Sequence, residues 1–362
     1  MKIGIVTFHR AHNCGAALQC VALITVLQRM GHDVRVIDCN NIGQSFFPNV
    51  LRIRIWLGWL HFMLVSFARR ERLWFRYWLF RKRHMPMTHK IGKNSKFPAD
   101  IDRVVLGSDQ VLNPAWMGQY GDVFLLVDKC PDRNKVSYAA SFGVPTLPVE
   151  CRTQFKNALS KFHALGIRED SGVEICNKEL NLPIKARITI DPTLLLRADD
   201  YLKFEKPVKI DSPYVLVYWM GHTKEYLCKL AHEISAIYGI RVIVASIMAY
   251  QDSKEWMSVS PSEFLSLFRN ATYVVTASFH GTAFSIINHK PFLTVIPKDL
   301  SIGGRMVSLL TKLNLLDQIV HEGCSIGAAM IRQKLSLKFD ESDELLDSLR
   351  RESIEFLREA LA

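Results

Sequence analysis

At 362 residues the chain is longer than one typical domain, and a composition of 49% hydrophobic and 22% charged residues supplies cores for two. The eight cysteines (Cys14, Cys20, Cys39, Cys130, Cys151, Cys176, Cys228, Cys324) are scattered, without a C-x-x-C pair or a Cys/His metal spacing. That argues against a disulfide scaffold and a zinc module, and predicts a reduced, cytoplasmic protein with no metal.

The chain opens on the strand-like KIGIVT (2–7), and Met1-Lys2 leads straight into an apolar run too short for a signal peptide. Residues 16–30 read as a helix stopped by Gly31, and DVRVID (33–38) as the next strand. Segment 51–84 breaks the pattern: nine Arg/Lys against Glu71 give it a local net charge of +8, and it holds four of the seven tryptophans. Its longest uncharged run, Ile55–Ala68, is 14 residues, short of the about 20 needed to cross a bilayer. It reads as basic, amphipathic helix, with two open placements. In one, Trp56, Trp59, Trp74 and Trp78 anchor on an anionic membrane while Arg69, Arg70, Arg72, Arg81, Lys82 and Arg83 meet head groups. In the other, the apolar residues pack on the first domain.

Strand-like runs resume at 102–109, 135–141, 164–170 and 187–191, each ending in polar residues. Pro192 and the polar stretch 197–211 mark a boundary, which predicts a first domain over 1–196 with 51–84 inserted. Strands at 214–220, 241–246, 272–278 and 291–296, with helices at 223–238, 261–269 and 281–288, predict a second domain over 197–335. A helix over 340–362, capped by Ser342, is placed to pack back on the first domain. Strands alternating with helices predict two α/β, Rossmann-like, doubly wound domains. Ligands in such sheets sit beyond the carboxyl ends of the strands, here 7–13, 107–110, 141–143, 168–170, 191–193, 278–281 and 297–298.

Several of these segments, in this order, resemble the polysaccharide pyruvyl transferase family: NCGAALQ (13–19), LGSDQVLNP (106–114), YAASFG (138–143), IREDSG (167–172), DPTLLL (191–196), and SFHGTAFSI with KPF (278–286, 290–292). The resemblance implies two Rossmann-like domains facing across a cleft, as in GT-B glycosyltransferases, with the acceptor expected on the first (1–196) and phosphoenolpyruvate on the second (197–335). It implies transfer of a pyruvyl group from phosphoenolpyruvate to a sugar of a capsular, exopolysaccharide or cell-wall saccharide, often lipid-linked. A ketal forms, phosphate leaves, and neither cofactor nor metal is required.

Phosphoenolpyruvate is a small trianion, so the chemistry needs cations, an acid/base near the reacting carbons, and groups that orient the sugar. His280 falls on the family's functional histidine, at a strand end before a helix N-terminus, as proton donor to carbon 3 or as phosphate ligand. Ser278 and Gly281 belong to the same anion-binding turn. Arg168 matches the family's arginine and suits a carboxylate or phosphate, the competing partner being Glu169 or Asp170. Lys298 and Arg305 are further expected phosphoenolpyruvate ligands, though Lys298 fits a solvated loop and Arg305 a helix start as well.

Asn13 and Gly15 are candidate acceptor contacts, in a turn where many relatives carry an acid. Ser108 and Gln110 are expected to orient the acceptor, and Asp109 to accept a proton from it, unless the three merely cap a helix. Asp191 reads as a structural cap at the domain hinge, and Cys14 as packing. The rival enzyme is a GT-B glycosyltransferase using a nucleotide sugar, disfavoured by the lack of paired glutamates around 278–300. A dehydrogenase lacks its G-x-G-x-x-G, and a non-catalytic membrane-surface scaffold is the rival from another class. No nucleic-acid partner is expected.

Overall fold

The computed structural model describes residues 1–39, 72–92, 95–221, 223–247, 255–298 and 303–362. The first half runs β1 (Lys2–Val6), α1 (Cys14–Arg29), β2 (Asp33–Val36), α2 (residues 72–84), β3 (Arg103–Leu106), α3 (Met117–Phe124), β4 (Lys135–Ala140), α4 (Val149–Leu159), β5 (Ala164–Ile167), α5 (Asp170–Glu174), β6 (Arg187–Ile188) and α6 (Pro192–Leu195). The second half runs β7 (Tyr214–Trp219), α7 (Lys224–Tyr238), β8 (Arg241–Ser246), β9 (Trp256–Ser258), α8 (Pro261–Asn270), β10 (Tyr273–Thr276), α9 (Phe279–Ile287), β11 (Phe292–Ile296), α10 (Gly304–Lys312), β12 (Ile319–His321), α11 (Ala328–Leu335) and α12 (Asp340–Leu361).

The strands form two six-stranded sheets, ordered β2-β1-β3-β4-β5-β6 and β12-β11-β10-β7-β8-β9. Every named pairing is parallel. Strand order reverses between β1 and β3 in one sheet and between β7 and β10 in the other. Those are the crevices where doubly wound sheets take ligands.

Helix α1 is apolar almost all round, and its residues from Cys14 to Leu27 are buried. A helix with no polar face needs cover on all sides. Here α6 and α8 supply it together with the first sheet, so α1 forms part of the seam between the domains. Gly31 ends its turn at φ +88°, a conformation that favours glycine.

Helix α2 resolves part of the question posed by segment 51–84. Leu73, Tyr77 and Phe80 are buried, and Arg76 reaches the second domain through Glu263 (2.5 Å) and the Ser258 carbonyl (3.1 Å). Arg81, expected at lipid head groups, is instead buried, and burial pulls its pKa down to about 10. Trp74, Phe75 and Trp78 are exposed, as are Arg72, Lys82 and Arg83. Trp56, Trp59, Arg69 and Arg70 lie outside the described residues. Among the described residues, no helix is long and apolar enough to cross a membrane.

At the other end, α12 begins two residues before its expected cap. Ser342 is a buried helical residue whose Oγ donates to the Phe339 carbonyl. The helix touches both halves of the chain: His289 and Asn314 of the second hold Asp343 and Glu341, while Ile190 N donates to Ser353 Oγ and Arg187 pairs with Glu359 on the first.

Candidate active site

The turns at the two crevices face one another. After β1 the chain crosses to α1, whose N-cap Asn13 accepts from Ala16 N at 3.2 Å. After β10 it crosses to α9, whose N-cap Ser278 accepts from Gly281 N at 3.4 Å. The His280 ring lies against the first turn of α1. A β-carbon on Gly15 would fall 2.7 Å from His280 Cε1 and nearer still to Nδ1 and Cγ, so no side chain fits there. Gly281 is needed for a different reason, since a β-carbon would overlap Thr276 Oγ1 of its own strand.

Between these turns is a cleft of about 660 Å³ lined from both domains. The first contributes Asn13, Asp109, Gln110 and an aromatic group around Trp116. The second contributes Ser278, His280 and Arg305. Asp109 takes φ +81°, a left-handed conformation that costs a non-glycine residue about 1–2 kcal/mol. Its Oδ1 accepts from Gln110 N at 2.9 Å and lies 3.7 Å from Arg168 Nη2 and 4.0 Å from Arg305 Nη1.

Beneath the cleft, Asp191 ties the charged groups together. Its Oδ1 accepts from Thr193 N (3.0 Å) and Thr193 Oγ1 (2.7 Å), which caps α6. Its Oδ2 accepts from Ser108 Oγ (2.7 Å) and Arg168 Nη1 (2.8 Å), with His280 Nε2 3.6 Å away. Burial opposes ionisation of this carboxyl, but the adjoining His280 ring, Arg168 and the Thr193 N–H hold it far below the usual range. Arg168 is likewise buried, which disfavours its charge, yet Asp191, Asp109 and Glu169 outweigh that and raise its pKa. Burial and the neighbouring Arg168 bring Arg305 down to about 10, so it is still a cation at neutral pH.

Several buried polar atoms here have no hydrogen-bond partner: Arg168 Nε and Nη2, Glu169 Oε2 and His280 Nε2. Each faces a charged neighbour at more than hydrogen-bond distance (Arg168 Nε to Glu169 Oε2 3.9 Å, Arg168 Nη2 to Asp109 Oδ1 3.7 Å, His280 Nε2 to Asp191 Oδ2 3.6 Å), so the cluster is held by charge pairing with hydrogen-bonding capacity left over. The Arg168 guanidinium also rests 4.5 Å from the Phe279 ring. Among the described residues, no group of three His, Cys, Asp or Glu is disposed to hold a metal.

Most of the residues singled out in the sequence therefore converge: His280, Ser278, Arg305, Asn13, Asp109 and Gln110 line the cleft, and Arg168, Gly15 and Gly281 stand behind it. Ser108 turns its hydroxyl to Asp191 rather than outward. Lys298 departs from expectation. It is exposed, absent from the cleft lining, and its side chain runs against Gly323 after β12. Asp191 does more than the sequence suggests, because the D-P start of a helix already explains an aspartate. It does cap α6, but one oxygen is left to hold Arg168. Trp116 carries no signal of its own in the sequence, standing two residues beyond the LGSDQVLNP stretch, yet it lines the cleft.

A protein-family model described as polysaccharide pyruvyl transferase matches residues 13–299. Comparison with curated proteins returned no match. Among solved structures, the UDP-GlcNAc 2-epimerase from Neisseria meningitidis superposes with a TM-score of 0.50 at 11% identity, covering 100% of this chain and 99% of its own. The UDP-GlcNAc 2-epimerase from Methanocaldococcus jannaschii gives 0.50 at 13% identity, covering 94% and 93%. A glycosyltransferase from Rickettsia africae ESF-5 gives 0.48 at 12% identity over 99% and 96%. At such identities the likeness to the two epimerases speaks to fold alone, two parallel-sheet domains in a GT-B-like arrangement.

Proposed function

We propose, from the premise that the chain belongs to the polysaccharide pyruvyl transferase family, that it transfers the pyruvyl group of phosphoenolpyruvate to two hydroxyls of a sugar. The observation that carries this reading is that Arg305, His280 and the Ser278-capped N-terminus of α9 line one cleft, with the Arg168 guanidinium buried behind it against Phe279. Such a wall suits a small molecule bearing both carboxylate and phosphate.

In the proposed reaction carbon 3 takes a proton and becomes a methyl group, which makes carbon 2 electrophilic. The first sugar oxygen bonds to carbon 2, the carbon–oxygen bond to phosphate breaks, and the second sugar oxygen closes the ketal. Two hydroxyl protons are released in all; one balances the proton on carbon 3 and the other leaves with phosphate. His280 carries protons between these oxygens and the donor, its ring seated against Gly15 with Asp191 Oδ2 3.6 Å from Nε2. Arg305, on the cleft, stabilises the charge that gathers on the departing phosphate, while Arg168 behind it holds Asp191 in place. Asp109, on its left-handed corner, is the base for an acceptor hydroxyl.

The test is incubation with phosphoenolpyruvate and capsular oligosaccharides. Saccharide-dependent release of inorganic phosphate, with a pyruvate ketal in the product NMR spectrum, is the expected result. Release of a nucleoside diphosphate from a sugar nucleotide, without use of phosphoenolpyruvate, would replace the reading with glycosyl transfer.

The acceptor is proposed to be lipid-linked and met at an anionic membrane surface. Support comes from α2, where Trp74, Phe75 and Trp78 are exposed beside Arg72, Lys82 and Arg83. Near such a surface each basic side chain is worth about 1 kcal/mol. Flotation with phosphatidylglycerol vesicles should capture the wild type and lose the Trp74→Ala/Trp78→Ala variant. Equal flotation of both, or none by either, would leave the acceptor to come to the enzyme.

A further inference from the structure

The first-domain wall of the cleft carries an aromatic group that the proton and phosphate chemistry does not use. Trp116 closes a short 3-10 turn, Pro114–Trp116, whose start is capped by Asn113 accepting from Ala115 N at 2.9 Å. Its ring meets the edge of Phe8 at 6.3 Å, and Phe8 in turn packs on Tyr120 (6.3 Å) and on the fully buried Phe124 (4.7 Å). The indole is thus propped from behind by a core stack, yet it is 40% exposed and lines the cleft. An aromatic of this size left open inside a recess, not on a convex surface, calls for a ligand face to cover it.

The groups around the ring define that ligand. Asp109, Gln110 and Asn13 line the same cleft and bring a carboxylate and two amides, each with capacity left beyond the bond it makes to Gln110 N, Asn113 and Ala16 N respectively. A pyranose has an apolar face of C–H bonds and a rim of hydroxyls, which answers to an aromatic platform edged with such groups. The second-domain residues of the lining, His280, Ser278 and Arg305, answer to an anion, and Arg305 comes within 4.0 Å of Asp109 where the two domains' contributions meet. Resting on the proposed transfer to a sugar, we propose that Trp116 is the stacking platform of the acceptor pyranose, with Asp109 and Gln110 receiving its hydroxyls. The cleft then divides by domain. The acceptor lies on the first-domain wall and the donor on the second, with the reacting diol turned toward His280.

The experiment is saturation-transfer NMR with methyl β-D-galactopyranoside, methyl α-D-mannopyranoside and methyl β-D-glucopyranoside. Wild type and Trp116→Phe should pass saturation to the ring C–H protons of at least one glycoside. Trp116→Ala and Trp116→Leu, checked for folding by circular dichroism, should not. In phosphate-release assays Trp116→Ala should raise the acceptor KM about tenfold, the upper range for an aromatic stacking contact, and leave the phosphoenolpyruvate KM unchanged. Undiminished saturation in Trp116→Ala, no saturation by wild type, or a change confined to the phosphoenolpyruvate KM would each overturn the assignment. The two readings fail separately: glycoside binding lost with Trp116, in a protein that does not turn over phosphoenolpyruvate, would keep the platform and reject the reaction.

Discussion

Two strand-to-helix corners meet at the cleft, and they are built alike from different sequence. Asn13-Cys14-Gly15 opens α1 and Ser278-Phe279-His280-Gly281 opens α9, each with a capping side chain followed by a glycine inside the first turn. The glycines do unlike work. Gly281 lets α9 lie against its own strand at Thr276, a matter internal to the second domain. Gly15 makes room for a side chain from the other domain, His280. One corner therefore presents a chemical group and the other receives it, and only the receiving glycine depends on both domains being in place.

The largest test of that asymmetry is to remove the presented group. His280→Ala should lower kcat by roughly 10²–10⁴-fold, the usual worth of an acid/base, with an unchanged circular dichroism spectrum. Cys14→Ala, at the matching corner, should stay within a few-fold of wild type, because the Cys14 thiol is buried against Tyr77 and burial pushes its pKa up to about 12. Near-equal activity of wild type and His280→Ala would erase the distinction.

Next is the support beneath the presenting corner. Asp191→Asn leaves the buried Arg168 without its closest carboxylate, and breaking a buried pair costs about 3–5 kcal/mol. The folded-state pKa of Asp191 is depressed, so its stabilisation is present above the unfolded value of about 3.9 and is lost as pH falls. Thermal melts should show a wide gap between wild type and variant at pH 7 that narrows only below about pH 4. A gap that closed between pH 8 and 6 would assign the effect to some other group.

The glycines separate the corners directly. Gly15→Ala and Gly281→Ala should both destabilise, each by about 1–3 kcal/mol, the range for overpacking. Gly15→Ala should in addition displace His280 and lower kcat by about 10²-fold, as small misplacements at a reacting centre can. Kinetics on the folded fraction of the two variants ought to separate the corners where denaturation does not. The smallest effect is expected at the caps, where Asn13→Ala and Ser278→Ala should each cost about 1 kcal/mol in urea unfolding. A much larger cost at one would mean that its side chain does more than end a helix.

The fold is legible because parallel strands buried on both faces are written as unbroken apolar runs, such as KVSYAA in β4 and FLTVI in β11. Short or polar elements are not: β9 and β12 are three residues each, and α4 has a mean character too polar to stand out from a loop. At the site, His280 and Arg168 are visible through the motifs that carry them. Partners are harder. The sequence offers Arg168 its neighbours Glu169 and Asp170, yet its closest carboxylate is Asp191, 23 residues on, because β6 pairs in parallel with β5 and runs straight into the cap of α6. Lys298 has the right strand end, but the loop after β12 gives its side chain a surface to follow.

The last helix bears on how the two walls of the cleft are registered. Helix α12 is 22 residues, a rod of about 33 Å at 1.5 Å per residue, gripped near its start by His289 and Asn314 and near its end by β6 and Ile190. A rod fastened at both ends resists stretching far more than rocking. Sliding one half past the other along its axis would break the contacts at one footing or the other, so the helix favours the registration in which His280 meets Gly15. Mechanically it is a tie-bar, a second link between the halves beside the chain that runs from α6 to β7.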